Sequence, residues 1–200
     1  MFIIKIQKNN GGFTIIETMI AVALFSIIVM VGMGALLNAN LIYTKSQDIR
    51  SIIDNLSFVM EDMSKNLRTG SDYHCIDDGD INPTPPVAPH DCSINGKGIS
   101  FKSSSGDQWV YVIFNDGTIE KSVAGGAAET FTTITSPEVK IDSASSFLVT
   151  GALPPNSDGS GDHQQPFVTI KLVGKITSKG VDTPFTLQTS ISQRSVDIAL

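Results

Sequence analysis

Between Phe13 and Tyr43 the chain carries one formally charged side chain, Glu17, and no other feature constrains its fold as tightly. An apolar stretch longer than the ~20 residues needed to cross the hydrocarbon core can span a bilayer as a single helix. The segment before it, residues 1–12, holds Lys5 and Lys8 and no acid. The positive-inside rule therefore keeps that segment cytoplasmic and sends the residues beyond the apolar run outward. A secretory signal would place a shorter apolar region ahead of a cut at small residues. Here the candidate cut, at Gly12, precedes the apolar run.

Glu17 needs an explanation, because a carboxylate near the start of a membrane helix costs roughly 2.5 to 3.5 kcal/mol on insertion scales. After it, no Lys or Arg appears until Lys45, about 42 Å further along a helix rising ~1.5 Å per residue. A new α-ammonium created by a cut before Phe13 would be the nearest cation, about one turn away. At that end of the helix the carboxylate also meets the positive pole of the macrodipole. In a packed neighbour, the same ammonium could meet Glu17 directly and set the axial offset between subunits.

Gly12, Phe13, Thr14, Ile15, Ile16 and Glu17 together resemble the prepilin peptidase site of type IV pilin-like proteins, a Gly followed by Phe-Thr-x-x-Glu. The resemblance implies cleavage between Gly12 and Phe13 by a membrane aspartyl protease, N-methylation of Phe13, and an assembly role for Glu17. It further implies a single-pass membrane protein with its N-terminus cytoplasmic and its head extracytoplasmic. The expected partners are prepilin peptidase, membrane lipid before assembly, an inner-membrane assembly platform, and other pilin or pseudopilin subunits. Many major pilins have a proline partway down this helix, and this chain has none there. Gly32 and Gly34 occupy the corresponding region, where they would permit either local unwinding or close helix packing. The missing proline points toward a minor pilin or a type II secretion pseudopilin similar to the W and J classes. Alternatives from other classes are a surface adhesin carried by the filament and a plain membrane-anchored domain.

Beyond the apolar run, Ile42, Ile49, Ile53, Leu56, Met60, Met63 and Leu67 recur at helical spacing, with Asp48, Arg50, Asp54, Glu61, Asp62, Lys65 and Arg68 mostly off that stripe. One helix is therefore expected over 13–69, its membrane part at 13–40 and its amphipathic part at 41–70. Arg68 suits its last turn, and Gly70 is expected to close it in the left-handed conformation. Residues 71–97, with Pro83, Pro85, Pro86 and Pro89, read as loop. Strands are expected at 99–102, 109–114, 118–123, 138–141, 147–150, 167–173 and 185–192, with Asn115-Asp116-Gly117 turning a hairpin. The expected fold class is α+β, a long helix packed on an antiparallel β-sheet head spanning 71–200.

Cys75 and Cys92 suit a disulfide in an oxidising exterior, which would close its loop with about 3 kcal/mol of stabilisation. The competing reading is a zinc site from His74, Cys75, His90 and Cys92, although adjacent side chains on an extended chain point in different directions. Asp158, Ser160 and Asp162 space three oxygens like the first half of a calcium loop, but His163 replaces the expected Gly and Thr169 stands where the closing Glu belongs. Asp77, Asp78 and Asp80 form a weaker acidic cluster. No nucleophile elbow, phosphate loop or HExxH pattern is present, so no enzyme activity is expected. A net charge of -6 without a dense Lys/Arg run disfavours general nucleic-acid binding.

Overall fold

The structure, a computed structural model, describes residues 11–77, 88–153 and 164–194. Most of the leader, the acidic residues Asp78 and Asp80, and the calcium candidates Asp158, Ser160 and Asp162 lie outside those residues. The chain divides into two compact units, Met1–Ser46 and Gln47–Leu200. Helix α1, Ile15–Thr69, runs through the boundary. In the first unit its residues are exposed on every side as far as Tyr43, and among the described residues it is the one helix long and apolar enough to cross a membrane.

Within the second unit, α1 buries Ile52, Leu56, Val59, Met63 and Leu67. This stripe is rotated from the expected one. Leu56, Met63 and Leu67 belong to both, but Ile53 is 46% exposed and Ile42 70% exposed, while Ile52 and Val59 take the core positions. Neighbouring residues on this helix offer two apolar rows at nearly equal spacing, and the sheets cover one of them. Fully burying each such side chain contributes about 1.5 to 3 kcal/mol, which fixes the rotation.

The helix end also departs from expectation. Gly70 is not left-handed; Asp72, with φ of 54°, is the residue in that conformation just past the helix. Gly70 is required for space instead, since a Cβ there would meet Phe101 Cδ2 at 2.5 Å and the Lys102 carbonyl at 3.0 Å. The last helical carbonyls find other donors: the Tyr73 hydroxyl donates to Leu67, and the Arg194 N–H donates to Arg68 at 2.8 Å.

The head contains two antiparallel sheets rather than one. The first, ordered β1-β3-β4-β5-β6, comprises β1 (Ser71–Ile76), β3 (Gly98–Lys102), β4 (Gln108–Ile113), β5 (Ile119–Ser122) and β6 (Thr132–Thr133). The second, ordered β10-β9-β8-β2, comprises β10 (Val181–Ser192), β9 (Phe167–Ser178), β8 (Ser146–Thr150) and β2 (Cys92–Gly96), with β7 (Val139–Ile141) also paired to β9. The expected hairpin joins β4 to β5, with Gly117 at φ 83° and the Phe114 N–H bonded to the Thr118 carbonyl at 2.9 Å. Strands β1 and β2 correct the reading of 71–97 as loop. Both are short and flank the proline-rich stretch, whose composition hides them.

Helix and first sheet are joined by a polar network as well as by apolar packing. Asp62 accepts from the Tyr111 hydroxyl at 2.9 Å, from the Lys121 ammonium at 3.0 Å and from the Asn66 amide at 2.9 Å. Burial alone would raise the Asp62 carboxyl, but the Lys121 and Tyr111 bonds, with that of Asn66, hold it below the usual carboxylate range. Burial pushes the Tyr111 hydroxyl well up, so it remains a donor. Lys121 also sits 4.3 Å from the centre of the Trp109 ring, a cation–π contact. Asp62 therefore belongs to the sheet-facing side of the helix, although its charge suggested the solvent side.

Candidate processing and assembly segment

Helix α1 begins where its own sequence tells it to. Thr14 Oγ1 accepts the Glu17 N–H at 3.3 Å, and the Thr14 carbonyl accepts the Thr18 N–H at 3.2 Å. Thr14 is thus the N-cap, and it satisfies one of the backbone donors that a helix start leaves unpaired. Thr-x-x-Glu is the sequence signature of a capping box, a signal that reading this stretch for charge and cleavage alone passes over. The same four residues therefore start the helix and place the carboxylate in its first turn.

Gly11 to Thr14 have no regular secondary structure, and among the described residues no atom beyond its chain neighbours lies within 4 Å of where a Cβ on Gly12 would be. An exposed, non-helical backbone is what a protease needs to draw a peptide bond into its site. Phe13 is 81% exposed, immediately before the cap. Glu17 lies in the first helical turn and forms no ion pair with another described residue. The apolar side chains of Met19, Ile20, Val22, Leu24 and Phe25 that follow along the helix are each more than half exposed. Gly32 and Gly34 are helical, with open space around both.

In the head, Cys75 and Cys92 are joined in a disulfide with their Cα atoms 5.7 Å apart. It fastens β1, the edge of the first sheet, to β2, the edge of the second. Alongside it, the Cys75 N–H bonds to the His90 carbonyl and the His90 N–H to the Tyr73 carbonyl, each at 3.0 Å. Asp77 brings a carboxylate oxygen within 4.8 Å of both sulfurs, but the sulfurs are bonded to each other rather than offered as thiolates. The four-residue zinc reading fails on geometry: Cys75 and Cys92 are buried, whereas the His74 and His90 rings pair with each other at 5.3 Å outside the core. Gly96 makes room for the bridge, since a Cβ there would lie 2.8 Å from Cys92 Sγ, 2.6 Å from the Phe147 carbonyl, and closer still to Cys75 Sγ.

Residues 7–33 match the family model described as the prokaryotic N-terminal methylation motif. No curated protein and no solved structure matches the chain. The N-terminus carries a type IV pilin-like prepilin signal, and the layout of one long N-terminal helix followed by antiparallel sheets matches a type IV pilin-like fold. The signal implies processing by prepilin peptidase, membrane anchoring and assembly with other pilin subunits.

Proposed function

We propose that this chain is a minor, tip-type subunit of a type IV pilus or type II secretion pseudopilus. It is cut between Gly12 and Phe13, methylated on the new Phe13 amine, and held in the inner membrane with its head outside until an assembly platform extracts it. The observation that carries this reading is the capped helix start, which sets Glu17 in the first turn at the head of an exposed apolar helix. Cutting after Gly12 creates the ammonium that makes the carboxylate tolerable in an apolar surround. In a filament the same pair gives adjacent helices a register. The minor role rests on the absence of proline from the membrane half of α1.

Quantitative mass spectrometry and immunogold labelling of sheared filaments test that role. The expected result is a small minority of the filament mass, with label at filament ends. Label along the whole length, at amounts equal to the main subunit, contradicts a tip role.

A further inference from the structure

Strand β10 presents an open edge whose backbone polarity can be read residue by residue. It pairs over its full length with β9, and among the described residues no strand lies on its other side. The two strands join through Lys179 and Gly180, with φ of 49° and 77°. Positive φ at both centres is the turn type that closes on a hydrogen-bonded pair, here Ser178 with Val181. At the far end, the Gln193 N–H donates to the Pro166 carbonyl at 3.1 Å. Both observations give the same parity: odd-numbered residues of β10 bond to β9, and even-numbered residues turn their N–H and C=O groups to the open edge.

Pro184 fits that parity, because the donor it lacks would have faced the open edge. Past Pro184 the protection stops. Residues 185–192 carry no charge and no further proline, leaving the N–H groups of Thr186, Gln188, Ser190 and Ser192 on an edge of the kind that templates strand pairing. Arg194, next in the series, closes the end of the edge by donating its N–H to the Arg68 carbonyl. Beside this edge runs a groove of about 780 Å³, lined by residues 189–192 of the strand and by Glu61, Lys65, Arg68 and Arg194. Three cations against one acid make it a basic trough in a chain whose net charge is -6.

We infer that β10 receives an extended, acidic segment of a neighbouring filament subunit, which adds as a strand to the open edge. Main-chain bonds to the even-numbered residues supply the affinity, and Lys65, Arg68 and Arg194 select the acidic side chains. A second copy of this chain is disfavoured as the occupant. Self-pairing of two β10 edges would bring residues 185–192, which carry no acidic side chain, to the three cations. The inference rests on the proposed filament role, but its test separates the two.

Backbone amide exchange of the full chain is measured in detergent micelles and in filaments recovered from cells. Thr186, Gln188, Ser190 and Ser192 are expected to exchange at least about tenfold more slowly in filaments, while odd-numbered amides are protected in both states. Ser190→Pro removes one outward donor, and Lys65→Glu with Arg68→Glu reverses the trough. Each is expected to reduce incorporation while leaving the odd-numbered amides protected in detergent, which shows that the head still folds. If the protein enters filaments and its even-numbered amides exchange at the detergent rate, the strand-addition inference is overturned and the filament role stands. Failure to enter filaments at all overturns both. Protection that appears in detergent and grows with protein concentration identifies a second copy as the occupant and overturns the acidic partner.

Discussion

Glu17→Val is expected to leave cleavage after Gly12 and anchoring intact, yet to remove the subunit from filaments. A general defect would not give that combination, because it would impair cleavage or anchoring as well. Valine removes the roughly 2.5 to 3.5 kcal/mol that a carboxylate costs in a membrane helix, so the variant is inserted at least as firmly as the parent. The Thr14 cap uses the Glu17 backbone N–H, not its side chain, so the helix still starts at the same place. The change takes away the proposed partner of the Phe13 ammonium. Removing one member of a buried, hydrogen-bonded charge pair costs about 2 to 5 kcal/mol, roughly 30- to 4,000-fold in occupancy of the assembled state. The readout is the ratio of sheared-filament to membrane protein by immunoblot, alongside the mass of the membrane form. Normal incorporation of Glu17→Val would refute the charge pairing.

The second large effect is on the head. Replacing Cys75 and Cys92 together by Ser is expected to destabilise the native state by about 2 to 5 kcal/mol. For a unit of this size that lowers the melting temperature by roughly 4 to 20 °C. The bridge does more than close a loop, because it fastens the edge strands of two different sheets and is backed by Phe147 and by a glycine with no room for a side chain. Thermal melts of the detergent-solubilised full chain, for the parent and the double variant, measure the loss. Coincident melts would show that the seam between β1 and β2 holds without the sulfurs.

How much of the fold is legible in the sequence depends on how local each signal is. The apolar run, Glu17 and Gly12 are read from consecutive residues, and the structure presents them as capped helix and open backbone. The Asn115-Asp116-Gly117 hairpin is equally local. The stripe of the outer helix is legible only as a period. Choosing Ile52 over Ile53 for the core depends on where the sheets sit, which is non-local. Asp62 escapes a sequence reading for the same reason, since its burial is balanced by Lys121 and Tyr111 from strands far along the chain. Strands β1 and β2 are hidden because each draws its pairing from a distant strand and lies beside prolines. The hairpin of β9 and β10 extends further toward its turn than expected, and there Lys175 and Thr177 both bond to Asp182 across the strands, a polar set with no apolar alternation to announce it. Within the N-terminal segment the missed signal is local: Thr14 and Glu17 spell a helix cap as well as a processing site.

The mass of the mature N-terminal peptide reports whether the chain is cut after Gly12 and methylated on Phe13. Protein extracted from membranes is digested and its first peptide sequenced by tandem mass spectrometry. The expected species is a chain beginning at Phe13 with one methyl group on its amine, the proposed partner of Glu17. A chain beginning at Met1, or one cut beyond the apolar run, would contradict that expectation.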